Sequence, residues 1–135
     1  MSVSKENTFA SLIKAVEEFH DCFGITNNHS PTTSVDEQEV QLRHDLMKEE
    51  NNEYLEAAKN GDIIEVADAL GDQLYILCGT ILKHGVQDKI SEVFQEIHRS
   101  NMSKLGEDGK PIYREDGKVL KGPDYFRPDI KKIIS

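Results

Sequence analysis

The chain has 135 residues, 37% of them hydrophobic and 30% charged, with a formal net charge of −9. A single domain over residues 1–135 with one modest core is expected at that length. The acidic balance excludes a general nucleic-acid binder, which needs a basic face, and no apolar run approaches the ~20 residues of a membrane span.

Met1 to Asn7 is polar and lacks the basic-then-apolar layout of a secretory signal. Cys22 and Cys78, the two cysteines, lie in apolar helical contexts without ligand-type spacing. Buried free thiols in a reducing compartment, and therefore a cytoplasmic protein, are the expectation.

In chain order, a first helix is predicted from about Thr8 to Phe23. Phe9, Leu12, Ile13, Val16, Phe19 and Phe23 recur there at three-to-four spacing, and Gly24 ends it. A polar loop over Thr26 to Pro31 follows. The second helix begins near Ser34 or Asp36, where Ser34-x-x-Glu37 has the form of a capping box, and continues to about Lys59. Its inward stripe is Leu42, Leu46, Glu49 and Glu53, so carboxylates occupy positions where the pattern calls for apolar residues. A solvated glutamate-rich face would put them off that stripe.

The third helix starts after Asp62 and runs to about His84, with Gly85 as its stop signal. Ile63, Ala67, Leu70, Leu74, Leu77 and Ile81 form one apolar row; a second, from Ile64 to Leu82, is interrupted by Asp68. A helix apolar on two rows is central in a bundle or shared with another subunit. A fourth helix spans roughly Asp88 to Met102, with Ile90, Val93, Phe94 and Ile97 inward. Beyond it, Asp108-Gly109 and Asp116-Gly117 are turn dipeptides around Pro111-Ile112-Tyr113, with Val119-Leu120 following. The expected fold is all-α: a four-to-five-helix bundle over about residues 8–103, with helices packed across an oligomer interface. A short C-terminal β-hairpin and extended tail occupy about residues 104–135.

Two acidic clusters flank the Asn60-Gly61-Asp62 break: Glu49-Glu50-x-x-Glu53, then Glu65-x-x-Asp68 with Asp72 one turn later. Residues three or four apart share a helix face, so two facing helices would crowd four or five carboxylates together. Unit charges about 5 Å apart repel by roughly 3 kcal/mol at an effective dielectric near 20. A hard divalent cation relieves that repulsion; Mg2+, with Mn2+ as the alternative, accepts a few carboxylates together with phosphate oxygens. A carboxylate not consumed as a ligand can accept a proton from an attacking water. Glu49 suits that role, although Glu49 and Glu50 could exchange places.

Charge is unevenly spread. Residues 1–103 hold 8 basic and 19 acidic residues, against 8 and 6 in residues 104–135, which suits a metal site joined to groups that meet a phosphorylated small molecule. Asn101 and Lys104 at the end of the fourth helix are spaced to contact one ligand, although a basic residue there also complements the helix dipole. Lys118 and Lys121 are either solvated lysines or a phosphate clamp. Glu17-x-x-His20 lacks the second Glu-x-x-His of a di-iron bundle, and no phosphate-binding glycine motif is present.

Glu-Glu-x-x-Glu followed after a short gap by Glu-x-x-Asp resembles the all-α nucleoside triphosphate pyrophosphatase superfamily, which includes MazG-type enzymes, dimeric dUTPases and phosphoribosyl-ATP pyrophosphohydrolases. Within it, the chain more closely resembles small bacterial and phage proteins called phosphoribosyl-ATP pyrophosphohydrolase-like. The likeness runs from Phe19-His20 through Glu65-Val66-Ala67-Asp68-Ala69-Leu70-Gly71-Asp72 and His98-Arg99-Ser100-Asn101-Met102-Ser103-Lys104 to Gly117-Lys118-Val119-Leu120-Lys121-Gly122-Pro123. It implies Mg2+-dependent cleavage of a nucleotide between its α and β phosphates, releasing a monophosphate and pyrophosphate. It carries the ligand role onto Glu50, Glu53, Glu65 and Asp68, with Glu49 as ligand or base, and suggests nucleotide contacts from Asn101 and Lys104. Homodimers or homotetramers are implied as well. The 11 residues between the motifs (Tyr54 to Ile64) stand at the short end of the family's range. The leading reading is a (deoxy)nucleoside triphosphate enzyme; the alternatives are the phosphoribosyl-ATP enzyme of histidine synthesis and a non-catalytic metal- or nucleotide-binding bundle.

Overall fold

The computed structural model describes residues 8–135; the polar amino-terminal heptapeptide, read above as lacking a secretory layout, lies outside the described residues. Five helices follow in order: α1 (Phe9–Cys22), α2 (Glu37–Lys59), α3 (Ile63–Lys83), α4 (Ile90–Met102) and α5 (Ile130–Ile134). They belong to two compact units, one ending at Gln87 and the other spanning Asp88–Ser135. No helix is long and apolar enough to cross a membrane among the described residues.

Side-chain caps set the helix starts. Thr8 Oγ1 accepts from Ser11 N, Asp36 Oδ1 from Gln38 N, and Asp62 Oδ1 from Glu65 N, each satisfying an N–H that has no partner within the helix. Asp36 therefore caps α2, and the capping box expected at Ser34 does not form; Ser34 N donates to Thr32 Oγ1 instead. In the first unit α3 packs against both α1 and α2, the central position its two apolar rows imply.

The loop between α1 and α2 is held by the carbonyls left over at the end of α3. Asn28 N donates to Leu82 O, Asn28 Nδ2 to Lys83 O and Thr32 N to His84 O. Gly85 follows with φ +66, and an added Cβ there would collide with the Ser30 carbonyl. Glycine is thus required at that turn twice over, by conformation and by space. The core of this unit comprises Ile13, Val16, His20, Ala57, Ala69, Cys78, Ile81 and Leu82. Complete burial of Leu82 alone is worth roughly 1.5–3 kcal/mol.

Four further expectations are corrected. First, no β-hairpin forms: among the described residues the tail has a single antiparallel bridge, Tyr113–Val119, and no strand. The two Asx-Gly turns do form, with Gly117 N bonded to Arg114 O and Gly109 N to Gly106 O. They stand so close that each arm has room for one bridge, and Pro111 offers no N–H to continue the ladder. Second, the carboxyl end is not extended. Asp129 accepts from Lys132 N and starts α5, and the Glu96 carboxylate accepts from Asp129 N at 2.7 Å. Third, α2 is rotated from the expected stripe: Leu42, Glu49 and Glu53 are exposed, while Arg43, Leu46, Met47, Glu50 and Ala57 turn toward the interior. Cys22 is exposed as well, so only Cys78 is a buried thiol.

Candidate functional site

The tight turn through Asn60 and Gly61 reverses the chain and sets α2 antiparallel to α3. Glu39 then pairs with Lys83, Arg43 lies against Gly79, and Asn51 receives a long 3.5 Å hydrogen bond from Gln73. Glu50 and Asp72, the neighbours of that amide pair in sequence, are both half-buried. Glu50 Oε2 is sealed from solvent and has no hydrogen-bond partner. Burial raises its carboxyl to about 7 from an ordinary 4.5, and the negative charges of Glu53, Asp72 and Glu49 push in the same direction.

Glu49, Glu50, Glu53 and Asp72 are thus brought into one electrostatic group. Glu65 sits in the first turn of α3 and Asp68 one turn later, both exposed. Among the described residues no three His, Cys, Asp or Glu side chains converge as a preformed metal cage. The donor set nonetheless fits a hard divalent ion. A buried carboxylate oxygen amid three like charges is relieved either by a proton, with a hydrogen bond between Glu50 and Glu53, or by a cation.

The second unit carries the other sequence candidates. Asn101 is exposed on the last turn of α4, and its carbonyl accepts from Lys104 N at 3.2 Å. Lys104 is half-buried, and its own carbonyl accepts from Gly122 N at 2.8 Å. An added Cβ on Gly122 would strike the Leu105 carbonyl, so at Gly122 the tail segment meets the end of α4 backbone to backbone. That docking brings Lys104 close to the residue after Lys121. Lys121 Nζ lies 4.8 Å from the Tyr125 ring centroid, a cation–π contact, and Lys118 is exposed.

The two serines of the His98–Lys104 segment have structural work. Buried Ser100 donates to Phe126 O at 2.8 Å, and Ser103 Oγ accepts from Phe126 N at 3.2 Å. Arg99 stacks over the Phe126 ring at 4.3 Å.

Two polar groups in the first unit, Lys83 and Arg43, escaped the sequence reading, and a third, His20, was met there only within Glu17-x-x-His20 and the Phe19-His20 likeness. His20 is 2% exposed and donates from Nδ1 to Asn27 Oδ1 at 2.6 Å. Lys83 is 7% exposed, with its ammonium donating to Thr26 O at 2.6 Å. Arg43 buries Nε and Nη1 with no hydrogen-bond partner, and desolvation lowers its pKa against the opposing pull of Glu39. At His20 the available signal was position, since it continues the apolar row of Ile13 and Val16.

Sequence comparison bears on this arrangement. The chain is 28% identical over 130 residues to an uncharacterized protein of Acanthamoeba polyphaga mimivirus, a match covering 93% of this chain and 48% of the relative. The chain thus spans about half the length of the curated relative it matches. A sequence profile described as phosphoribosyl-ATP pyrophosphohydrolase matches residues 16–101, which takes in both acidic motifs and the end of α4 through Asn101. With that span matched and a carboxylate group gathered at the facing helices within it, the chain belongs to the MazG-like phosphoribosyl-ATP pyrophosphohydrolase family.

Proposed function

We propose that this protein is a Mg2+-dependent nucleotide pyrophosphohydrolase whose reaction is organised around Glu50. The carrying observation is the buried, partnerless Glu50 oxygen surrounded by Glu53, Asp72 and Glu49. Such a cluster is costly in a metal-free protein and becomes favourable when a divalent ion joins it.

Glu50, Glu53, Glu65 and Asp68 are the carboxylates that would hold the ion, with Mn2+ as a substitute for Mg2+. When bound, the ion screens polyphosphate charge, polarises the phosphorus and acidifies the attacking water. Glu49, exposed beside Glu50, accepts the proton of that water. The water oxygen forms a new bond to phosphorus as the phosphoanhydride between the α and β phosphates breaks. A monophosphate and pyrophosphate leave. Asp72 helps orient the substrate; in the second unit, Asn101, Lys104, Lys118 and Lys121 are by themselves donors and positive charges of the kind that meet phosphates and sugars.

The family match favours phosphoribosyl-ATP over a (deoxy)nucleoside triphosphate as the substrate. The absence of a preformed three-ligand cage among the described residues favours a second reading, a non-catalytic bundle that binds metal or nucleotide. Exposed Leu70, Leu74 and Leu77, in one row of α3, support a homodimer or homotetramer that covers them.

The deciding experiment presents phosphoribosyl-ATP, ATP and each deoxynucleoside triphosphate with Mg2+ and scores monophosphate plus pyrophosphate. Turnover of phosphoribosyl-ATP supports the reading. Binding without turnover of any nucleotide moves the assignment to the non-catalytic one.

A further inference from the structure

Helices α1, α2 and α3 each end on a left-handed glycine, at φ +66 to +70. Helix α4 does not. Ser103, Lys104 and Leu105 follow it without a positive φ among them, and Ser103 stays right-handed at φ −70. The chain leaves α4 through tightened bonds that each span three residues: Ser103 N to Ser100 O, Lys104 N to Asn101 O and Leu105 N to Met102 O. Such a turn has poor hydrogen-bond geometry and frays unless something outside the helix holds it.

The tail holds it. Phe126 N donates to Ser103 Oγ at 3.2 Å, and Phe126 O accepts from Ser100 Oγ at 2.8 Å, so two hydroxyls take both main-chain polar groups of one residue. Ser103 Oγ also donates to Ser100 O. Gly122 N closes on Lys104 O at 2.8 Å, and Arg99 covers the Phe126 ring. Ser100 is 3% exposed, and a hydroxyl so buried needs the partner it has. The matched family span ends at Asn101, so this tail segment lies beyond it. We propose that residues 122–126 are a strap that terminates α4, with Ser100 and Ser103 as positioning residues that hold Asn101 and Lys104 in place for the substrate's phosphates and sugar.

The anchors share one side of α4. Glu96, which accepts from Asp129 N, is followed by Ser100 and Ser103 at spacings of four and three. Asn101 stands about 100° further round the helix from Ser100, and it is exposed. The strap therefore fixes the turn that carries Asn101 without covering its amide. Lys104 is gripped through its main chain rather than its ammonium. The inference rests on the reading above that Asn101 and Lys104 meet the substrate. A serine that acts through them changes how tightly substrate is held and leaves the chemical step alone.

The test is a kinetic double-mutant cycle on the full chain with Mg2+ and phosphoribosyl-ATP, or the best nucleoside triphosphate of the panel above if that one is refused. Ser100→Ala and Ser103→Ala are each expected to raise KM roughly three- to tenfold, the effect of one lost hydrogen bond, with kcat changed by less than about twofold. Ser103→Thr keeps the hydroxyl and is expected to restore the wild-type KM. In an Asn101→Ala/Lys104→Ala background, Ser103→Ala is expected to raise KM no further. Should Ser100→Ala fail to fold, half-buried Ser103 carries the test alone. If the wild type binds nucleotide without turnover, the dissociation constant takes the place of KM in the same cycle. Wild-type KM in Ser103→Ala, beside a raised KM in Asn101→Ala/Lys104→Ala, overturns this inference alone. The same increment in both backgrounds does so too, because it marks a general loss of packing. Wild-type KM in Asn101→Ala/Lys104→Ala, or a wild type that takes no nucleotide, overturns the contact reading and this inference with it.

Discussion

Glu50 resists ionisation first because it is buried, and then because Glu53, one turn further along α2, shares a hydrogen bond with it and repels its charge. The folded protein therefore retains a proton on Glu50 up to about pH 7, whereas an ordinary glutamate releases it near 4.5. Across that window the folded state binds more protons than the unfolded chain, so metal-free stability falls as pH rises and levels off above it. Thermal unfolding in EDTA between pH 5 and 8 checks the sign. Glu50→Gln is expected to flatten the dependence, and Mg2+ to raise the wild-type melting temperature most at the alkaline end.

Gly85→Ala tests the latch between the first loop and α3. The new methyl meets the Ser30 carbonyl at a position with φ +66, so the backbone must shift. A loss of about 1–3 kcal/mol in a urea titration is expected. An unchanged midpoint would mean that the loop moves freely.

Lys83→Met preserves the volume of the side chain and removes its ammonium. Thr26 O then loses a 2.6 Å hydrogen bond and Glu39 its 3.8 Å partner, both in a poorly solvated place. The expected destabilisation is roughly 1–3 kcal/mol, with faster amide exchange over residues 25–32.

Glu96 anchors α5. The Asp129 N–H and the Arg99 guanidinium hold its carboxyl below the usual carboxylate range, so its contribution is present above the ordinary glutamate pKa and is lost as pH falls through the depressed one. Glu96→Gln is expected to speed amide exchange in Ile130–Ile134 severalfold while leaving α1 to α3 unaffected. Equal protection in the variant would show that α5 holds without this carboxylate.

Helices α1 and α3 were legible because their ends are written in single residues: Thr8 and Asp62 at starts, Gly24 and Gly85 at stops. The rotation of α2 was not legible. Most of its residues are polar, so no apolar stripe fixes its facing, and the aliphatic stem of Arg43 takes an inward position that pattern assigns to a hydrophobe. The same ambiguity hid which of the adjacent acids turns inward; the structure selects Glu50. At the carboxyl end the turn dipeptides were correctly read, but strands need length as well as turns. Five residues of α5 span too little chain to display a helical period. Its start depends on Glu96, 33 residues earlier in the chain.

For the proposed base, Glu49→Gln should lower turnover by about 10²- to 10⁴-fold, the usual contribution of a positioned proton acceptor, with little change in substrate affinity. A comparable loss in affinity alone would reassign Glu49 to binding.

Pyrophosphate release from phosphoribosyl-ATP, followed with and without Mg2+ in the wild type and in Glu50→Gln, probes the carboxylate group most directly. Stoichiometric pyrophosphate and phosphoribosyl-AMP that require Mg2+ are predicted, with a loss on the order of 10²-fold or more in the variant. Release that persists in EDTA, full activity in Glu50→Gln, or orthophosphate as the sole product would contradict it.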